Sequence, residues 1–353
     1  MAYSTIPKGS LYMNTKLYTG TGSSNAQTGV GFQPDWLWIK NRNNTQRHNI
    51  LDAVRGVTKR ISSNTTDAQA TNSYLLSSFN SDGFTLGTDQ DGFGTNTNGN
   101  TYAAWNWKAN GQGSSNTDGS INTTYTSANT TAGFSINQYT GTGSNATVGH
   151  GLGVAPKMVI VKKISGTSQW YTYHASLGAT KYLDLQSTAA ESTSSANWNN
   201  TAPTTTVFSL GTNSNVNASG QTYIAYCFAE VKGFSQISKY IGNGNADGTF
   251  IYTGFKPSFV MFKKSSATGN WFMMNNKMFP ANGVNASGGD QKYLYANTDN
   301  NEQGGYGQTD ILSNGFKFRS ADGDLNGSGV TYIYMAFAEE PFVASNYNVA
   351  TAR

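Results

Sequence analysis

The sequence predicts an all-β protein built from three tandem antiparallel β-sandwich modules, jelly-roll or lectin-like in kind. Three observations carry that expectation. Every apolar segment is short and bounded by Gly, Asn, Ser or Thr, and none sustains the period of an amphipathic helix. Forty glycines accompany only 12% charged residues, a composition of many turns and short strands, while 13% aromatics leave plenty to bury. And one set of motifs is written three times.

Each copy opens on a tyrosine and a glycine turn: "YTGTG" from Tyr18, "YTGTG" from Tyr139, "YIGNG" from Tyr240. A strand precedes each turn, marked by Tyr12, Phe134 and Phe234. Next comes a proline, Pro34, Pro156 or Pro257, which follows its tyrosine by 16, 17 and 17 residues. The run after it is apolar at consecutive positions, "WLWI", "MVIV" and "FVMF". Side chains alternate between faces, so such a run needs cover on both sides and reads as a central strand. The proline suits its first residue, where no ladder bond is lost. Lys40, Lys162 and Lys263 end the run. They are expected to mark the exit from the core, stem along apolar neighbours and ammonium in water. The competing expectation is a contact with a partner's carboxylate in each module.

A "GF" or "VF" strand follows, at Phe84, Phe208 and Phe316, and each copy closes on "TY", at Tyr102, Tyr223 and Tyr332. Along the closing strand the large residues share one face, as in Ile224, Tyr226 and Phe228 or Trp105 and Trp107. They are expected to pack across a sandwich about 10 Å thick. The other face is small, with Ala225, Cys227 and Ala229. Cys227 reads as a buried filler, and a single cysteine allows no intrachain disulfide. The nearest helical candidate is "HNILDAVRGVTKR" at 48–60, whose counterparts "WYTYHASLGATKY" and "WFMMNNKMFPANG" read as a strand running into a loop. The repeats divide the 353 residues into modules at 1–108, 132–231 and 232–353. Between the first two lies a polar, low-complexity stretch, 109–131, expected as a linker or an arm laid on a neighbour.

Function classes narrow by elimination. Net charge is +4 with no basic cluster, which argues against nucleic acid as partner. No apolar run nears the roughly 20 residues of a spanning helix, so membrane insertion is not expected. The N-terminus lacks a signal-peptide pattern, so synthesis in a cytoplasm is expected. The three histidines are His48, His150 and His174. The third copy has none, so histidine chemistry is no shared property, and no catalytic residue is expected. Two acidic pairs stand in the sequence, Asp89 with Asp91 and Asp322 with Asp324. "SADGDLNGSG" around the latter is rich in calcium-type oxygen ligands but lacks the full ligand spacing, and reads first as a turn. No metal and no cofactor are therefore expected, with Asp322 and Asp324 the calcium alternative. Six of the seven tryptophans fall in core strands or their edges. Trp198, in "SANWNNTAP", is the candidate for a surface binding contact.

The stretches "YTGTGSNATVGHGLGVAPKMVIVKK" and "YIAYCFAEVKGFSQISKYIGNGNADGTFIYTGFKPSFVMFKK" resemble a family of repeated β-modules in virion proteins of tailed bacteriophages, common among marine phages. The resemblance runs from about Tyr12 to Phe342 and is best in the second and third copies. The first departs, with "RHNILDAVRG" and the closing strand "YAAWNW". The resemblance implies a non-enzymatic structural protein on the exterior of a virion, most simply a tail fibre or appendage in host adhesion. Its partners would be other virion proteins and a host-surface glycan, and a homo-oligomer is expected, a trimer favoured. The alternatives are a capsid decoration or head-fibre protein without receptor affinity, and a host-polysaccharide depolymerase.

Overall fold

In the computed structural model, the described residues are 4, 6–90, 92–278, 292–304 and 309–341. They form an all-β fold of antiparallel sheets with three single-turn helices and one short 3-10 turn. Each sequence repeat supplies the same four neighbouring strands. An opening strand (Met13–Thr19, Phe134–Thr140, Ser235–Ile241) pairs with the closing strand (Thr101–Trp107, Thr222–Phe228, Thr331–Pro341). The closing strand pairs with the proline strand (Trp36–Asn41, Met158–Lys163, Phe255–Lys264). The proline strand pairs in turn with a fourth (Asn49–Asp52, Trp170–His174, Trp271–Asn275). The proline strand is thus internal in all three sheets, as its doubly apolar pattern demands. Pro34 and Pro156 stand just before their strands, and Pro257 sits at a register shift inside its own, where a missing N–H costs no ladder bond. A smaller sheet accompanies each main sheet, built around Gly83–Leu86, Val207–Leu210 and Gly315–Phe318.

In the first two repeats the two faces of these strands serve different cores, whereas in the third both faces join one cluster. In the first repeat Leu37, Ile39, Tyr102 and Ala104 bury into a cluster confined to that repeat. In the second, Val159, Val161, Ala225 and Cys227 do the same, and burial pushes the Cys227 thiol pKa up. The opposite faces, with Trp36, Trp38, Trp105 and Trp107 from the first repeat and Met158, Ile160, Tyr226 and Phe228 from the second, join one cluster with Phe259, Met261, Met335 and Phe337 of the third. This corrects the expectation for the closing strand. Its large face packs repeat against repeat, and in the first two repeats its small face looks into the local core.

At the centre, equivalent closing-strand residues meet. The rings of Trp107, Phe228 and Phe337 lie 6.5, 5.7 and 6.1 Å apart, pair by pair, all edge-on. Such geometry suits the ring quadrupole. Trp36 of the first repeat lies 4.7 Å from Tyr226 of the second, and Phe259 of the third lies 5.4 Å from Trp107. The three repeats therefore close around a common aromatic centre.

Residues 109–131 lie along the second repeat. Tyr125–Asn129 adds a strand outside the opening strand, and Ile121 bridges Val148. Gly119 runs so close to Thr147 that a Cβ would stand 2.5 Å from its carbonyl oxygen. Asp35, buried in the first repeat, anchors the start of the arm by accepting the Ala109 and Gly111 N–H groups at 2.7 and 3.1 Å.

Truncating Phe228 to Ala should cost about 3–5 kcal/mol, the usual range for a buried ring. Denaturant unfolding followed by fluorescence checks this, and the loss should appear in one transition shared by all three repeats.

Candidate functional site

Of the polar residues that the sequence singled out, the three lysines, His48 and His174 lie at seams between repeats. The lysines come first. Lys40, Lys162 and Lys263 are all fully buried. Lys40 Nζ donates to the carbonyl of Asp299 in the third repeat at 3.2 Å. Lys162 donates to Thr66 of the first at 2.9 Å, and Lys263 to Thr188 of the second at 3.0 Å. Six residues on from each lysine, the N–H of Gln46, Ser168 or Gly269 donates to that same carbonyl, at 2.9 Å in each case. In return the N–H of Glu302, Gln69 or Glu191 reaches the carbonyl two residues past the lysine. The pattern runs first to third, second to first and third to second, and so closes a ring.

Each lysine stands one residue from the end of its buried strand, as expected, but both expectations for its ammonium are overturned. Their ammonium groups are neither in water nor on carboxylates; they satisfy backbone carbonyls of a neighbouring loop. Burial depresses them, Lys40 and Lys162 to about 7 and Lys263 to about 8.

Eight residues after each lysine stands a ring: His48, Trp170 or Trp271. Each donates across the same seam. Trp170 Nε1 reaches the Ser62 carbonyl at 3.0 Å, and Trp271 Nε1 the Asp184 carbonyl at 3.0 Å. His48 Nδ1 accepts from the Trp38 indole at 2.7 Å, which leaves the proton on Nε2, 2.8 Å from the Tyr295 carbonyl. Burial, then Lys40, pushes its pKa down to about 3. The other histidines are likewise spent. His174 is buried between the Ser176 N–H and the Tyr334 carbonyl, its pKa lowered by burial to about 4. His150 accepts the Leu152 N–H and faces the Thr204 carbonyl.

The remaining candidates are also engaged in the fold. Trp198 is 2% exposed, lies edge-on to Tyr173 and donates to the Lys181 carbonyl at 3.2 Å, so it offers no surface platform. The polar residues around it cover an indole that fills the local core of the second repeat. Asp322 caps a single helical turn by accepting the Asp324 N–H, and the Asp324 carboxylate meets Lys264 at 2.6 Å. Among the described residues no three His, Cys, Asp or Glu side chains group as metal ligands. Asp89 organises its own loop, accepting from Gly94, Asn96 and Thr97; Asp91 lies outside the described residues.

One repeated residue escaped sequence reading. Asn96, Asn217 and Asn326 are fully buried, six residues before each closing tyrosine. Their Oδ1 atoms accept the N–H of Thr21, Thr142 and Asn243 in the glycine turns, at 3.0, 2.8 and 3.0 Å. The signal was present as N-x-x-G-x-T-Y, written three times. Beside them the opening tyrosines stack on the closing ones at 5.0, 5.2 and 4.6 Å.

The seam between the first and second repeats also holds a cleft of about 440 Å³. One of its lining residues is Arg55, whose side chain is 1% exposed. Its Nε meets Asp52 Oδ2 at 2.6 Å, and Tyr226 of the second repeat donates to the same oxygen at 2.7 Å. Burial is the largest influence and opposes the Arg55 charge, but Asp52 and Tyr226 together outweigh it and hold the guanidinium pKa above its ordinary value. Gln69, Gln112, Gln138, Tyr125 and Thr222 complete most of the lining.

A family model described as a domain of unknown function, DUF7483, matches residues 8–341. The chain belongs to the DUF7483 family. One model spans all three repeats, as the shared centre of the fold would lead one to expect. Among curated proteins no match was found.

Two outcomes test the seams. A lysine with a depressed pKa is less protonated folded than unfolded between its two pKa values, so its stability contribution grows as pH rises from about 7 towards 10.5. Lys162→Met should cost about 1–3 kcal/mol by leaving carbonyls poorly satisfied. The deficit against wild type should be wider at pH 9.5 than at pH 7 in urea titrations. Asp52→Asn should cost about 3–5 kcal/mol, because it strands the buried Arg55 charge. Adding Arg55→Leu should recover part of that loss in a double-mutant cycle.

Proposed function

We propose that this DUF7483 chain is a non-enzymatic structural protein of a tailed-phage virion, a tail fibre or surface appendage that takes part in host adhesion. One observation supports the non-enzymatic part above others: all three histidines are buried or engaged in hydrogen bonds that hold loops and seams, and among the described residues none bonds the side chain of a Ser, Thr or Cys. The virion part rests on the resemblance of the repeated motifs. On this reading each repeat's main and small sheets make up a lectin-like sandwich, the sheets form a stiff mount, and the Ser/Thr/Asn-rich loops carry recognition. Partners would be other virion proteins and a host-surface glycan, and the assembly a homo-oligomer, with a trimer favoured.

A decoration protein is the second reading, favoured by one feature. Three equivalent surfaces set around one centre within a single chain suit seating on a site of three-fold symmetry. Antibody labelling of intact virions by electron microscopy, with a count of copies per particle, separates the two. Label at the tail in a few copies is the expected result. Label over the head in capsid-symmetric numbers would transfer the assignment to decoration. A particle whose proteome lacks the chain would overturn both.

A further inference from the structure

The cleft between the first and second repeats differs from everything the repeats share. Arg55 stands 21 residues after its proline, where the other copies have Leu177 and Met278. Gln138 stands just before its tyrosine, where the others have Leu17 and Lys239. Gln112 and Tyr125 come from the arm, which only one seam receives. The repeat pattern accounts for none of these residues, so nothing in the three-fold construction requires a polar cleft here.

Its chemistry is specific. The Arg55 charge is matched by Asp52, and Lys59 Nζ donates to Thr71 Oγ1 at 2.7 Å. An anion entering the cleft would meet a guanidinium already neutralised at contact distance. Lys59 is a cation whose ammonium gives one hydrogen bond to a neutral hydroxyl, and the rest of the polar lining is neutral. Gln69 gives its oxygen to Arg55 at 3.3 Å and keeps its amide N–H₂. The side-chain polar atoms of Gln112, Gln138, Tyr125 and Thr222 make no hydrogen bond among the described residues. Each amide is donor and acceptor together, and each hydroxyl is both. That is the complement of a vicinal diol, whose every oxygen also gives and takes. The half-buried Tyr125 ring adds an apolar surface of the kind that receives the C–H face of a sugar. The volume falls within the roughly 300–1,000 Å³ of small-ligand sites.

We propose that this cleft, lined by Gln69, Gln112, Gln138, Tyr125 and Thr222, is a binding site for a neutral oligosaccharide. The proposal deepens the adhesion reading and rests on it for its biological meaning, though not for its chemistry. It places recognition at one seam of the ring, where two repeats and the arm meet, and leaves the other seams as structure.

The experiment uses the full chain on a printed panel of neutral, uronic-acid, sialylated and sulfated oligosaccharides, followed by calorimetric titration of the best neutral probe. Gln138→Leu is the main variant, since Leu17 fills the same strand position in the first repeat. Gln112→Ala, on an exposed arm residue, is the second and guards against a folding defect in the first. The expected result is binding to neutral members, weakened at least about tenfold by either variant with unchanged melting, as for loss of a ligand hydrogen bond. Binding to no neutral probe, binding to anionic probes alone, or unchanged affinity in both variants would each overturn the proposal. A chain found on the virion tail that binds no neutral sugar sinks the cleft and spares the adhesion reading. A chain absent from virions that binds such a sugar through Gln138 does the reverse.

Discussion

The structure depends on the meeting of Trp107, Phe228 and Phe337. These are one position of the closing strand, used three times, and their mutual contact obliges each repeat to bury its largest face against the other two. Burying such rings is worth about 1.5–3 kcal/mol each, and the centre gathers many of them in one place. Once that centre forms, the lysine ammonium groups and the seam N–H groups have little freedom left. They lie where water is excluded, and each ammonium is shared between a carbonyl of its own loop and one of the neighbouring loop. A buried ammonium is costly unless bonded, so the seams are specific as well as tight.

Much of this was legible in the residues. Short strands, the internal place of the proline strand and the equivalence of the repeats all follow from alternation and spacing. The direction of each face does not. A pattern of large and small residues says that two environments exist, and it cannot say that the large one is shared between repeats while the small one is private to the first and to the second. The lysines were misread for the same cause. At a chain edge a lysine keeps its ammonium in water, and Lys162 sits at a strand end that becomes an interior only when Thr66 of another repeat covers it. Trp198 was misjudged because its neighbours in sequence are polar, although its indole turns inward to Tyr173. Asn96, Asn217 and Asn326 look like turn residues until their side chains are seen bonded to a second turn far along the chain.

The division of labour is physical. Groups that carry chemistry in other proteins are here consumed by the ring: histidines replace tryptophans or pin loops, and the buried Arg55 and Asp52 cancel each other beside Tyr226. In the cleft most of what stays uncommitted is neutral and polar. That balance suits recognition of a neutral surface by a stiff body.

The most direct test of the shared centre is differential scanning calorimetry of the full chain. Three repeats around one core should melt as a single cooperative unit, with calorimetric and van't Hoff enthalpies equal. Two or three resolved transitions, or a van't Hoff enthalpy near a third of the calorimetric value, would mean that the repeats fold independently and that the common centre does not bind them.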